Sequence, residues 1–80
     1  MIEKIEMIRK SIDEVDQEIC DLLVKRLDLV GEIGRLKAKD NLPLTDEKRQ
    51  EEILEKIKNL VGDNYPFLVP IYSTIFSVSK

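Results

Sequence analysis

Residues 2–39 contain no proline, and their apolar side chains recur in alternating steps of three and four residues. This heptad spacing is typical of a long α-helix with one apolar seam. Acidic residues fill the first half of the stretch and basic residues its end, which suits the helix dipole. Because Pro43 cannot continue a helix, we predict one that runs from Ile2 to Lys39. The seam consists of Ile5, Ile8, Ile12, Val15, Ile19, Leu22, Leu29, Ile33 and Leu36.

Two shorter helices are predicted after this long one. The first of them ends at Gly62, a residue that suits the left-handed conformation at a helix terminus. A further apolar stretch runs from about Pro66 to Lys80, and its two prolines, Pro66 and Pro70, are tolerable only near a first turn. The β-branched residues of this stretch also suit a strand. A lone strand has nothing to pair with, so we predict a helix.

The predicted fold is all-α, with one long and two shorter helices in a single domain over residues 1–80. A helix of 38 residues is about 57 Å long, whereas a compact chain of this size has a radius of gyration near 12 Å. Two short helices would leave much of the seam in water. We therefore expect two chains to intertwine into a helical homodimer, the alternative being a monomeric three-helix hairpin.

The composition excludes several classes of function. The chain has no histidine, which removes histidine-based acid–base catalysis and the commonest metal ligand. One cysteine cannot form an internal disulfide, and a net charge of −3 offers no basic excess for nucleic acid. No apolar run approaches the length of a membrane span. These features predict a soluble cytoplasmic protein that binds neither nucleic acid nor membrane.

A cation interrupts the apolar seam. Between Leu22 and Leu29 the seam position is Arg26, and a buried guanidinium needs an anion, a polar cavity or solvent. Lys37 follows eleven residues later, which is about 20° past a whole number of helical turns, so both cations share a face with Ile33. Such a face suits a small anion with an apolar body. The alternatives are an Arg26 that pairs with a facing glutamate or reaches solvent, and a solvated Lys37 at the helix end.

Other polar residues are ambiguous on their own. Arg49 and Gln50 lie near the start of the second helix, where backbone amides attract anions, but taken alone they are better explained as an ordinary capped, charged helix start. Arg9 lies one residue off the seam and about 42 Å along the helix from Lys37. An antiparallel partner would bring its own Arg9 towards Arg26.

Together these segments resemble the all-helical class of chorismate mutase. The resemblance covers nearly the whole chain, in order and with similar spacing. The matching segments are IRKSIDEVD at 8–16, LLVKR at 22–26, IGRLK at 33–37, PLTD at 43–46 with Arg49, and IFSVS at 75–79.

The resemblance implies an intertwined homodimer with two equivalent sites that converts chorismate to prephenate without cofactor or metal. In that family two arginines hold the carboxylates of the dianionic substrate, and the matching residues are Arg26 and the partner subunit's Arg9. Ser79 would contact a carboxylate.

The resemblance also assigns residues to the ring and to the ether oxygen of the substrate. Lys37 would donate a hydrogen bond to the ether oxygen, while Asp46 and Arg49 would help to hold the ring end. Gln50 stands where the family usually has a glutamate that contacts the substrate hydroxyl. The implied catalytic residues are thus Lys37, Gln50 and Arg26.

Two departures leave other functions open. Besides Gln50, many family members have a further glutamine or glutamate one turn beyond the serine, whereas this sequence stops at Lys80. Either the residues present suffice, or the sequence is a piece of a longer or fused protein. The alternative functions are an isochorismate pyruvate lyase of the same fold and a non-catalytic helical dimerisation or regulatory module.

Overall fold

The computed structural model describes residues 1–43 and 47–79. Its first element, α1, is a single helix of 38 residues over Ile2–Lys39, with Glu3 in its first turn and Lys37 and Lys39 in its last. These are the predicted bounds, because the stretch lacks proline and its charges interact favourably with the helix dipole. The chain divides into two compact units, Met1–Ile33 and Gly34–Lys80, and α1 contributes residues to both.

The first unit consists of the larger part of α1. No residue of α1 is buried, and the nine apolar residues of the seam are each between 42% and 65% exposed. Cys20, one residue from the seam, is a free and exposed thiol. The seam residues of this unit are therefore largely exposed in the single chain.

The second unit begins with the end of α1, which closes in a Schellman motif. Asn41 adopts a left-handed conformation with φ of 59°, and its amide donates to the carbonyl of Ala38 at 3.2 Å. The amide of Leu42 donates to the carbonyl of Lys37 at 2.7 Å. These two bonds satisfy carbonyls that the helix end leaves without intrahelical partners.

The remaining helices form a packed pair in this second unit. Helix α2 spans Glu47–Val61, a 3₁₀ turn spans Gly62–Asn64, and α3 spans Tyr65–Val78, with α2 in contact with α3. Ile57 on α2 is 7% exposed and is the one buried residue in the described part of the chain. Gly62 has φ of 57°, which confirms the predicted left-handed helix end.

Helix α3 confirms the choice of helix over strand, since residues 1–43 and 47–79 contain no strand. One of its two prolines does not lie where it was predicted. Pro66 lies in the first turn, but Pro70 lies inside the helix rather than near its start. Pro70 has no amide to donate, so one helical hydrogen bond is missing there. The hydroxyl of Thr74 donates to the carbonyl of Pro70 at 3.1 Å.

Among the described residues, no helix is long and apolar enough to cross a membrane.

Candidate active site

Arg26 and Lys37 differ in exposure from the other charged side chains. Both are half-buried, whereas every other aspartate, glutamate, lysine and arginine in residues 1–43 and 47–79 is exposed. Lysine and arginine are among the residues least often removed from solvent. The two cations that the sequence singles out are therefore also the two that are less exposed than the other described charged residues.

In the first unit, Arg26 belongs to the C-terminal half of α1. Val30, one turn later, is half-buried as well, while Ile33 keeps 53% of its surface exposed. A guanidinium with an apolar neighbour one turn away and an exposed isoleucine beyond it matches the predicted amphipathic face. An anion with an apolar body complements such a face.

In the second unit, Lys37 lies in the last turn of α1. Its carbonyl accepts the Leu42 amide of the Schellman motif, which fixes the backbone that carries the ammonium group. Gly34, one turn earlier, is half-buried, and a Cβ atom added there would meet nothing within 4 Å. The Lys37 side chain therefore extends from a fixed helix end.

Helix α2 supplies two predicted residues in its first turns. Gln50 is half-buried, and its amide group both donates and accepts hydrogen bonds. Arg49 is exposed, and its Nη1 donates to Oε2 of Glu52 at 3.4 Å. Asp46, predicted to act with Arg49, lies outside the described residues.

Ser79 follows the last residue of α3 and is half-buried. Its hydroxyl donates to the carbonyl of Ile75 at 2.5 Å, and its backbone amide donates to the same oxygen at 3.1 Å. The hydroxyl proton is therefore engaged within the helix. To donate to a ligand carboxylate, as the resemblance implies, the hydroxyl would first have to release Ile75.

Arg9 lies in the first unit and is exposed. Its Nη1 donates to Oε1 of Glu6 at 2.9 Å, and the two side chains are 68% and 58% exposed. Arg26 lies seventeen residues further along the same helix, a rise of about 26 Å. One small molecule cannot contact both arginines of a single chain.

The acidic partners of these arginines, Glu6 and Glu52, were not among the predicted residues. Each lies three residues from its arginine, a spacing that brings side chains together on a helix surface, so the signal was present. Among the described residues, no three carboxylate or thiol side chains come together to hold a metal ion.

Comparison with known proteins places this sequence in a family. A family model described as chorismate mutase type II matches residues 8–80. A bifunctional chorismate mutase/prephenate dehydratase from Aquifex aeolicus is 42% identical over 82 positions, which cover 95% of this chain and 23% of that protein. A chorismate mutase from Methanocaldococcus jannaschii is 37% identical over 64 positions, which cover 80% of this chain and 65% of that protein.

A third relative, a 3-dehydroquinate dehydratase from Pyrobaculum aerophilum, is 37% identical over 49 positions, which are 61% of this chain and 16% of that protein. The chain thus spans about a quarter of the Aquifex protein and just under two thirds of the Methanocaldococcus protein. No solved structure matches the chain significantly. From the match of the family model over residues 8–80, we conclude that this chain belongs to the chorismate mutase type II family.

Proposed function

We propose that this chain catalyses the rearrangement of chorismate to prephenate, in phenylalanine and tyrosine biosynthesis in the cytoplasm. One observation carries the proposal beyond family membership. Arg26 and Lys37 are the two described charged residues that are not exposed, and the family pattern assigns both of them to the substrate. Lysine and arginine are seldom removed from solvent, and two such cations on one helical face complement a dianion such as chorismate.

The chemistry suits a site built from cations and amides alone. The reaction is a unimolecular [3,3] rearrangement in which the ether C–O bond breaks as a C–C bond forms, with no proton transfer. Holding the enolpyruvyl arm over the ring lowers the barrier, since most solution conformers are unproductive. In this proposal Arg26 holds a substrate carboxylate and so fixes one end of the arm.

Charge accumulates on the ether oxygen as the C–O bond breaks. A fixed cation at that oxygen stabilises the transition state more than the ground state, and this difference is what raises the rate. We assign this role to Lys37, whose backbone is fixed by its hydrogen bond to Leu42. Gln50 would contact the substrate hydroxyl as a neutral amide, without adding a negative charge beside a dianion.

The proposed site needs two chains. Arg9 and Arg26 are about 26 Å apart along one helix, so an Arg9 that contacts the same substrate as Arg26 must come from a partner subunit. The exposed seam of α1 supports such a partner, because contiguous apolar surface in water favours association. We therefore propose an intertwined homodimer in which the partner subunit's Arg9 completes each site with Arg26, Lys37, Asp46, Arg49, Gln50 and Ser79.

Incubation with chorismate tests the proposed function. We expect prephenate, detected as phenylpyruvate after acid treatment, at a rate well above that of the uncatalysed reaction. Isochorismate serves as the matched second substrate. Release of salicylate and pyruvate from it, with chorismate left intact, would identify a lyase instead. If a folded dimer converts neither substrate, the chain is instead a non-catalytic helical dimerisation or regulatory module.

A further inference from the structure

We propose that Glu6 is a positioning residue that competes with the ligand carboxylate for the guanidinium of Arg9 and thereby lowers the affinity of the site for its dianionic substrate. This inference rests on the proposed function, because it concerns the arginine that a partner subunit would contribute. The family pattern, whose first matching segment begins at Ile8, assigns no role to Glu6.

The contact itself carries the argument. Oε1 of Glu6 lies 2.9 Å from Nη1 of Arg9, which is shorter than the 3.4 Å between Nη1 of Arg49 and Oε2 of Glu52. The two residues lie one turn apart on α1, so the helix itself brings them together. A site that receives Arg9 therefore has a carboxylate within one helical turn of that arginine.

The geometry of the guanidinium explains why the two carboxylates compete. Arginine binds a carboxylate best through two parallel N–H bonds from one edge of its planar group. Glu6 occupies Nη1 of Arg9, which leaves the edge formed by Nε and Nη2. An incoming carboxylate either binds that edge beside a second anion or displaces Glu6. Both arrangements weaken binding relative to a free Arg9.

The size of the effect of Glu6 on substrate affinity, and its dependence on salt, follow from electrostatics. Two unit charges roughly 7 Å apart in water interact strongly enough to change a binding constant about three-fold at low ionic strength. Both side chains of the pair are more than half exposed, so salt screens the effect. The expected change is therefore modest, specific to substrate affinity and largest in dilute buffer.

Glu6→Gln tests the inference, with Glu3→Gln as the matched control. Glu3 is an exposed glutamate one turn before Glu6 on α1, and Arg9 pairs with Glu6 rather than with Glu3. Both substitutions remove one negative charge from a solvent-facing position, and circular dichroism checks that both keep the helical fold. Kinetics with chorismate are measured at about 20 mM and about 500 mM salt.

We expect Glu6→Gln to lower KM about three-fold in dilute buffer with kcat little changed, and the difference to shrink at high salt. Glu3→Gln should behave as the unsubstituted chain. An unchanged or raised KM in Glu6→Gln, or an equal fall in Glu3→Gln, overturns the inference while the proposed function stands. Absence of any turnover in the unsubstituted chain overturns both.

Discussion

The backbone amide of Leu42 donates a 2.7 Å hydrogen bond to the carbonyl of Lys37. Lys37 is thus held at the point where the chain turns out of α1, and the turn depends on a left-handed Asn41. A residue with a Cβ atom resists this conformation, and asparagine resists it less than most. The proposed catalytic ammonium therefore depends on a backbone conformation four residues away.

Asn41→Val should lower the free energy of unfolding by about 1–2 kcal/mol, because a β-branched residue is strongly disfavoured at φ of 59°. Asn41→Gly is the control, since glycine adopts this conformation without strain and should leave stability equal or higher. Urea unfolding at fixed protein concentration measures both. Equal stability of the two variants would argue against the Schellman motif at the end of α1.

Gly62→Ala should also lower the free energy of unfolding, by roughly 1 kcal/mol, because φ there is 57°. A Cβ atom at Gly62 meets nothing within 4 Å, so the cost comes from the backbone alone. Gly34 has the same open surroundings but lies inside α1. Gly34→Ala should therefore raise stability by up to about 1 kcal/mol. Destabilisation of both variants to the same extent would contradict this account.

Lys37→Ala should lower kcat/KM about 10²–10³-fold, because a fixed cation at the ether oxygen contributes in the same range as one oxyanion-hole donor. Lys39→Ala is the matched control, since Lys39 is an exposed lysine in the same last turn of α1. Steady-state kinetics with chorismate compare the two variants. Similar rates for both would remove Lys37 from the proposed site.

Ile19→Glu should dissociate the proposed dimer, because it places a charge in the middle of the seam. Ile19 is 47% exposed in the single chain, so the substitution spares the packing of one chain. Gln17→Glu adds the same charge on the opposite side of α1 and should leave the dimer intact. Light scattering should give twice the 9.3 kDa chain mass for the control. A dimeric Ile19→Glu variant would place the interface elsewhere.

The bounds of α1 and the end of α2 were predictable because they depend on local chemistry. The seam, the lack of proline before Pro43 and the left-handed preference of Gly62 each act within a few residues. The interior position of Pro70 was not predictable. Packing of α3 against α2 offsets a missing hydrogen bond, and that packing brings together residues distant in sequence.

The site was predictable in its residue types rather than in its contacts. Partial burial of Arg26 and Lys37 agrees with the interrupted seam and the shared helical face. The hydroxyl of Ser79 donates to the carbonyl of Ile75, because a serine at a helix end readily donates to a carbonyl one turn back. Whether two chains share each site remains a prediction, which a mixing experiment tests.

Activity of mixed Arg9→Ala and Arg26→Ala chains tests the shared site most directly. Each variant alone should be nearly inactive, because each of its sites lacks one arginine. In a mixed dimer, one site has both arginines and the other has neither. Random assortment by refolding together should restore about a quarter of the unsubstituted activity, since about half of the dimers are mixed. A mixture that stays inactive although mixed dimers form would contradict a site built from two chains.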